Sequence, residues 1–320
     1  MADYITVDGG TTNTRLNLIV SDTIVDTLKL SVGARIGLDK KSEYKSLIKK
    51  GIEELLSVNE LKDEALEAII CSGMITSEGG LIELPHIPAP AGIDELSEAI
   101  FRMHITEISD APFIFIPGVK HSGNELLEND MMRGEETELY GLCDMPLSNT
   151  LYVLPGSHSK LIETDEKGRI TSFSTSLSGE MISALSEGTI LKGSLNITDS
   201  AINDAYLKLG CEYAIKHGIS SALFKVRILD KALAGSADEV YSFFLGAILS
   251  SDYNSILDLP ESTVVIGGRT ALRNAFCSLL RDCGKEIMAV DDRIAENATA
   301  IGALRIYKKY LEGTTDGKAL

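Results

Sequence analysis

Asp8-Gly9-Gly10-Thr11-Thr12-Asn13-Thr14-Arg15 stands near the start of a 320-residue chain, between two apolar runs. Glycines let backbone amides approach a phosphate closely, and the threonines add hydroxyl and amide donors. Asp8, at the end of the first run, can hold Mg2+ alongside phosphate oxygens, because magnesium favours one or two carboxylates. The plain alternative is a glycine hairpin with Asp8 as a turn former. Gly156-Ser157-His158-Ser159-Lys160 is a second turn of this type. Its small residues and Lys160 suit the other side of a polyphosphate, or else it is a surface hairpin with a solvated lysine. Gly267-Gly268-Arg269-Thr270 ends a third apolar run and opens a helical pattern, where amides and helix dipole can meet a nucleotide. No GxxxxGK[ST] loop, Rossmann GxGxxG or protein-kinase set occurs.

Arg133-Gly134-Glu135-Glu136-Thr137 opens another helix. A carboxylate there can accept the proton of a reacting hydroxyl. Two acids in a first turn are equally ordinary partners of the helix dipole. Ser178-Gly179-Glu180 starts a further helix, with Ser178 read as its N-cap. His86, His104 and His217 show no partner in the sequence and read as structural or exposed, while His121 lies in a polar loop.

The elements that must position these groups follow from apolar runs and turn residues. Tyr4 to Asp8, Arg15 to Val20 and Ile24 to Leu30 read as three consecutive strands, antiparallel because no crossover fits between them. A helix over Lys41 to Leu56 precedes a buried strand, Ala68 to Cys71. Gly79 to Gly92, with three prolines, reads as a loop, and Phe113 to Ile116 as a short strand. From Leu151 the opening pattern recurs: strand, glycine turn, strand over Ser159 to Thr164, turn, strand over Arg169 to Ser174. Each glycine turn leads to a cation, Arg15 or Lys160, followed by leucine. Identity between the two copies is slight, so the echo alone fits a duplicated unit and a chance recurrence equally. The remainder reads as helical up to a buried strand, Thr263 to Ile266; a helix over Ala271 to Leu280, a strand over Glu286 to Val290 and an amphipathic helix over Ala295 to Tyr310 follow.

With 47 acidic and 30 basic residues the net charge is −17, which argues against nucleic-acid or anionic-membrane partners. An anionic ligand must then be drawn by local cations or a metal. No apolar run reaches the roughly 20 residues of a spanning helix. The acidic start, Met1-Ala2-Asp3, leads straight into a strand and reads as no signal peptide. Cys71, Cys143, Cys211, Cys277 and Cys283 form no CxxC pair and read as reduced, mostly buried thiols of a cytoplasmic protein. The composition is that of an α/β enzyme; a homo-oligomer is left open.

Asp-Gly-Gly-Thr-Thr-Asn-Thr-Arg, Met132-Arg133-Gly134-Glu135-Glu136-Thr137 and Leu154-Pro155-Gly156-Ser157-His158-Ser159-Lys160 together resemble the 2-dehydro-3-deoxygalactonokinase family, as do Ser72-Gly73-Met74-Ile75 and Ser174 to Glu180. The resemblance runs over nearly the whole chain. It implies an α/β fold of two ribonuclease H-like domains of the actin-like ATPase superfamily with a cleft between them: residues 1–133, residues 134–294, and a final helix, 295–320, packing back on the first domain. It implies ATP- and Mg2+-dependent phosphorylation of 2-keto-3-deoxy-galactonate at its 6-hydroxyl. On this resemblance Asp8 holds Mg2+ and Gly9, Gly10, Thr11, Thr12, Asn13 and Arg15 bind ATP from the first hairpin. Gly156, Ser157, His158 and Lys160 bind it from the second, and Gly267, Gly268 and Arg269 flank the adenosine. Glu135 is the expected base, with Glu136 second. Arg133 is expected at the substrate carboxylate, with Gly179 and Glu180 also at the substrate. One departure falls on the sugar-acid pocket: family members follow Gly-Met with a Gly-Trp pair and an aromatic Pro-Tyr element. This chain reads Glu78-Gly79-Gly80 and Leu84-Pro85-His86 and has no tryptophan. Competing readings are a kinase for a gluconate-type 2-keto-3-deoxy acid or pantothenate, and an actin-like ATPase that phosphorylates nothing.

Overall fold

The computed structural model describes residues 3–37, 40–142, 144–195 and 201–315. Met1, Ala2 and Cys143, which entered the sequence reading, lie outside them. The chain divides into two compact units, the first made of Met1–Asp144, Arg169–Ser172 and Asn297–Leu320. In chain order it begins with β1 (Asp3–Gly9), β2 (Thr14–Val20), β3 (Thr23–Leu30), α1 (Ala34–Gly37), α2 (Lys41–Val58) and β4 (Leu66–Gly73). There follow β5 (Ile87–Pro88), α3 (Ile93–Glu98), β6 (Phe101–His104), β7 (Pro112–Phe115), β8 (Val119–His121), β9 (Asp130–Met132) and α4 (Glu135–Gly141).

Six strands form one sheet in the order β3-β2-β1-β4-β7-β6. The three opening strands are antiparallel, as their short turns require. β4 joins β1 in parallel, with Ile5 opposite Ile69 and Gly9 opposite Gly73. Ile5, Val7, Leu16 and Leu18 bury against Tyr44, Ile48, Ile52 and Leu55, which recur every three or four residues along one side of α2. Each such side chain contributes about 1.5–3 kcal/mol. A second sheet has the order β5-β8-β9, and of its strands β5 lies within Gly79 to Gly92, the stretch read from sequence as loop. His121 thus sits on β8, where it pairs with Asp130, and not in a loop.

The second unit, Met145–Gly168 and Phe173–Glu296, repeats the pattern. Its elements are β10 (Thr150–Leu154), β11 (Ser159–Thr164), β12 (Ile170–Ser176, of which residues from Phe173 on count here), α5 (Ser178–Gly188), α6 (Asp204–His217), α7 (Ile219–Lys231) and α8 (Ala237–Asp258). They continue with β13 (Thr263–Ile266), α9 (Thr270–Leu280) and β14 (Glu286–Ala289). The sheet order β12-β11-β10-β13-β14 has β10 antiparallel to β11 and parallel to β13, as β1 is to β2 and β4. Val240 to Ser250 of α8 are buried on every side, the pattern of a helix inside a core. A last helix, α10 (Asp292–Thr315), belongs to the first unit from Asn297 onward. There Tyr307 meets Tyr4 edge-on at 6.0 Å, Lys308 pairs with Asp22 at 2.6 Å and Arg305 donates to the Tyr140 carbonyl of α4 at 2.7 Å.

Candidate active site

In the first unit three chain segments converge with almost no side-chain volume between them. β1 ends at Asp8-Gly9, β4 ends at Ser72-Gly73, and α4 begins at Gly134-Glu135. Asp8 pairs with Arg15 on one side and with Ser72 on the other. Gly134 has φ +114° and comes so near Gly73 that a methyl group on it would lie 3.3 Å from the Gly73 Cα. A non-glycine residue at Gly134 would be strained by that φ alone. Gly73 in turn lies against Gly9 and the Asp8 carboxylate: a methyl group there would stand 3.3 Å from Asp8 Oδ1. Burial pushes the Asp8 carboxyl up to about 6, Arg15 pulls it back, and Glu135 adds to the rise. Glu135 therefore bears on Asp8 as a like charge at one junction.

The hairpin beyond Asp8 is tied from behind. Gly10 N–H donates to Asn13 O, and the Gly10 and Thr11 carbonyls accept the Ala34 and Arg35 N–H groups at 3.0 and 3.1 Å. Thr11 and Thr12 are exposed at its tip. Asn13 donates to the Thr12 hydroxyl at 3.0 Å.

The two glutamates of α4 differ sharply. Glu136 is fully buried, and its carboxylate accepts the Gly134 N–H on both oxygens, at 2.8 and 2.9 Å, and the Thr137 hydroxyl at 3.2 Å. Burial, reinforced by Glu135, pushes its carboxyl up to about 8 in spite of those bonds. Glu136 therefore caps the start of its own helix. Glu135 is half-buried and accepts the Arg133 N–H at 3.1 Å. Arg133 Nη1 donates to Thr76 O and Oγ1 at 2.8 and 2.6 Å; Nη2 donates to Leu84 O at 2.8 Å and faces His86 Nδ1 at 3.3 Å. All four terminal N–H groups of the fork are thus directed at acceptors within this unit.

In the second unit the glycine turn after β10 leans on the start of α5. A methyl group on Gly179 would lie 2.0 Å from the Gly156 carbonyl oxygen, so only glycine permits this approach. Glu180 N–H donates to Ser157 O at 3.0 Å, and His158 Nε2 meets Glu180 Oε1 at 3.1 Å. Gly179 and Glu180 thus hold the hairpin. Ser178 is the first helical residue, with Leu177 in the N-cap position, and its hydroxyl lies 2.7 Å from that of Ser159. Lys160 is only 3% exposed on β11, which removes the solvated-lysine alternative. Gly267 N–H donates to Val153 O, Gly268 O accepts Arg273 at 2.8 Å, and Arg269 is exposed at the N-terminus of α9.

Two histidines read as lacking partners have them: His86 faces Arg133, and the His217 ring lies 4.5 Å from that of Tyr213. Arg133 and His86 stand 47 residues apart, and nothing in the spacing announces the pair.

Two units with a repeated strand order, each with its own glycine hairpin, have an actin-like ATPase fold. An activator of 2-hydroxyisocaproyl-CoA dehydratase from Clostridium difficile, solved with ADPNP, has this fold, with a TM-score of 0.53 at 13% identity over 99% of both chains. A family model described as 2-keto-3-deoxy-galactonokinase matches residues 8–306, and the chain belongs to that family. It is a sugar-acid kinase. The chain is 26% identical to 2-dehydro-3-deoxygalactonokinase of Escherichia coli over 294 residues, covering 90% of this chain and 93% of the relative. A solved Sinorhizobium meliloti protein, described as a candidate 2-dehydro-3-deoxygalactonokinase, superposes with a TM-score of 0.78 at 22% identity, covering 95% and 98% of the two chains. Among the described residues no helix is long and apolar enough to cross a membrane.

Proposed function

We propose that the chain transfers the γ-phosphoryl group of ATP to the 6-hydroxyl of 2-keto-3-deoxy-galactonate, with Asp8 and Glu135 as the working carboxylates. The observation that supports this most is their juxtaposition at the Gly73–Gly134 junction, in a chain of this family. Glu135 takes the hydroxyl proton as the oxygen attacks the γ-phosphorus. The bond to the bridging oxygen breaks, and ADP leaves with that oxygen. Phosphoryl transfer depends chiefly on positioning and on charge stabilisation. Glu135 suits the base because it is half-exposed; Glu136 is spent on its own helix.

Asp8 fits a magnesium ion shared with phosphates. Among the described residues no group of three or more His, Cys, Asp or Glu side chains could hold a metal by itself, and magnesium sites built from one carboxylate and substrate phosphates need no such group. Bound there, Mg2+ would neutralise phosphate charge. In the first unit Thr11, Thr12 and Asn13 receive phosphate oxygens. In the second, Ser157, His158 and Lys160 do the same, and Gly267, Gly268 and Arg269 at the head of α9 flank the adenosine. A cytoplasmic setting agrees with free thiols at Cys71, Cys211, Cys277 and Cys283.

The test is ADP release from ATP with a panel of sugar acids, followed by NMR of the product. ADP should form one-for-one with added 2-keto-3-deoxy-galactonate and the ester should lie on the 6-oxygen. Hydrolysis independent of any acceptor, or turnover confined to a gluconate-type acid or pantothenate, would contradict the proposal.

A further inference from the structure

We infer that His86 is a positioning residue for the transfer: acting through Arg133, it holds the first turn of α4, and with it Glu135, in place. The inference rests on reading Glu135 as the base.

Arg133 works in two directions at once. Its side chain reaches back to a segment with little regular structure and binds it at three points, Thr76, Leu84 and His86. Its own N–H donates to Glu135 Oε2 at 3.1 Å, immediately before the positive-φ turn at Gly134. Whatever fixes the guanidinium therefore fixes the main chain that orients the carboxylate. Thr76 O and Leu84 O are main-chain acceptors, so the two acceptors that belong to side chains are the Thr76 hydroxyl and the His86 ring.

The chemistry of the pair dictates the state of the ring. A guanidinium can only donate, so His86 Nδ1 must carry the lone pair and Nε2 the proton. Burial, with the Arg133 and Lys120 cations adding to it, lowers the His86 pKa to about 4, which keeps the ring neutral and the acceptor available. The ring is also wedged against the main chain, since a methyl group on Gly118 would lie 2.7 Å from its Cδ2. Deleting the imidazole leaves one half-buried N–H of Arg133 without its acceptor and lets the fork swing. A misplacement of about 1 Å at a reacting group can cost up to about 100-fold in rate.

The experiment uses the full chain with ATP and 2-keto-3-deoxy-galactonate, and compares His86→Ala, His86→Asn, Glu135→Gln and the double variant His86→Ala/Glu135→Gln. The asparagine Oδ1 can take the place of the Nδ1 lone pair. His86→Ala should lower kcat about 10-fold with KM for ATP within about twofold, and His86→Asn should recover kcat to within about threefold of the parent. In the Glu135→Gln background the alanine should cost less than about twofold, because the group it positions is already gone. Unchanged kcat in His86→Ala, no recovery with asparagine, or losses that multiply in the double variant would each overturn the inference. If Glu135→Gln alone keeps full activity, it is the base assignment that fails, and that single variant reveals it. Should His86→Ala not fold, 15N NMR of the parent chain decides: a neutral ring protonated on Nε2 between pH 6 and 8 is expected, and an Nδ1-protonated or charged ring overturns the inference.

Discussion

Gly134 and Gly73 touch through their main chains: a methyl group on the first would lie 3.3 Å from the Cα of the second. This contact brings the start of α4 to the end of β4, and so brings Glu135 within electrostatic reach of Asp8 on the neighbouring strand. The expected result of Gly134→Ala is a loss of about 1–3 kcal/mol, because φ +114° is costly for any side chain. Activity should fall with it as Glu135 shifts. Urea unfolding and kcat measured together check this; an alanine variant of parental stability and rate would remove the glycine junction from the account.

Asp8→Asn should lower kcat by at least about 100-fold, since a neutral amide neither attracts a cation nor offsets phosphate charge. Its fold should survive. The folded chain holds the Asp8 proton up to about pH 6, against 3.8 for the group's ordinary value, so the charged carboxylate destabilises the fold above that range. Asparagine carries no such charge, and at pH 7 the variant should be as stable as the parent or more stable by about 1–3 kcal/mol. Normal turnover at saturating magnesium would take Asp8 out of the mechanism.

Glu136 gives the pH dependence its clearest sign. Its carboxyl is raised from 4.5 to about 8, so the folded state binds a proton that the unfolded chain releases. That contribution to stability is complete below about pH 4.5 and is lost as pH rises towards 8. Glu136→Gln has nothing to titrate, so its stability relative to the parent should improve between pH 5 and pH 8, by on the order of 2 kcal/mol. Thermal unfolding of both proteins across that range measures the difference. A gap that is flat with pH, or that runs the other way, would contradict the buried, proton-holding role.

Much of this arrangement is legible in the sequence, and the part that is not has a physical cause. The hairpin strands around Gly9-Gly10 and Gly156-Ser157 follow from apolar runs broken by glycine, and the repeat of that pattern from Leu151 implies the second sheet. The difference between Glu135 and Glu136 is invisible in one dimension, because the burial of a helix side depends on what packs against it. The partnership of Arg133 with His86 joins a helix start to a distant loop and leaves no periodic trace. Ser178 looks like an N-cap from its neighbours alone, but the helix starts one residue earlier than that reading and the serine hydroxyl faces Ser159 of β11. The short strands β5, β8 and β9 escape because each is only two or three residues long, too short for an alternating pattern, and β5 also carries a proline.

Gly179→Ala probes the second unit. The added methyl group would meet the Gly156 carbonyl oxygen at 2.0 Å, so hairpin and α5 must separate. KM for ATP should rise several-fold while KM for the sugar acid changes little, because the hairpin is assigned to phosphate and not to the acceptor. Equal effects on both substrates would contradict that assignment.

The most direct measurement for the central claim is kcat of Glu135→Gln at saturating ATP and 2-keto-3-deoxy-galactonate, with the sugar-acid affinity measured in parallel. Glutamine keeps the size and reach of the side chain and removes its capacity to take a proton. General-base catalysis is worth about 10²- to 10⁴-fold, so kcat should fall by that factor with binding nearly intact. A variant that turns over at the parental rate would contradict the account and leave the carboxylates of α4 as partners of its dipole alone.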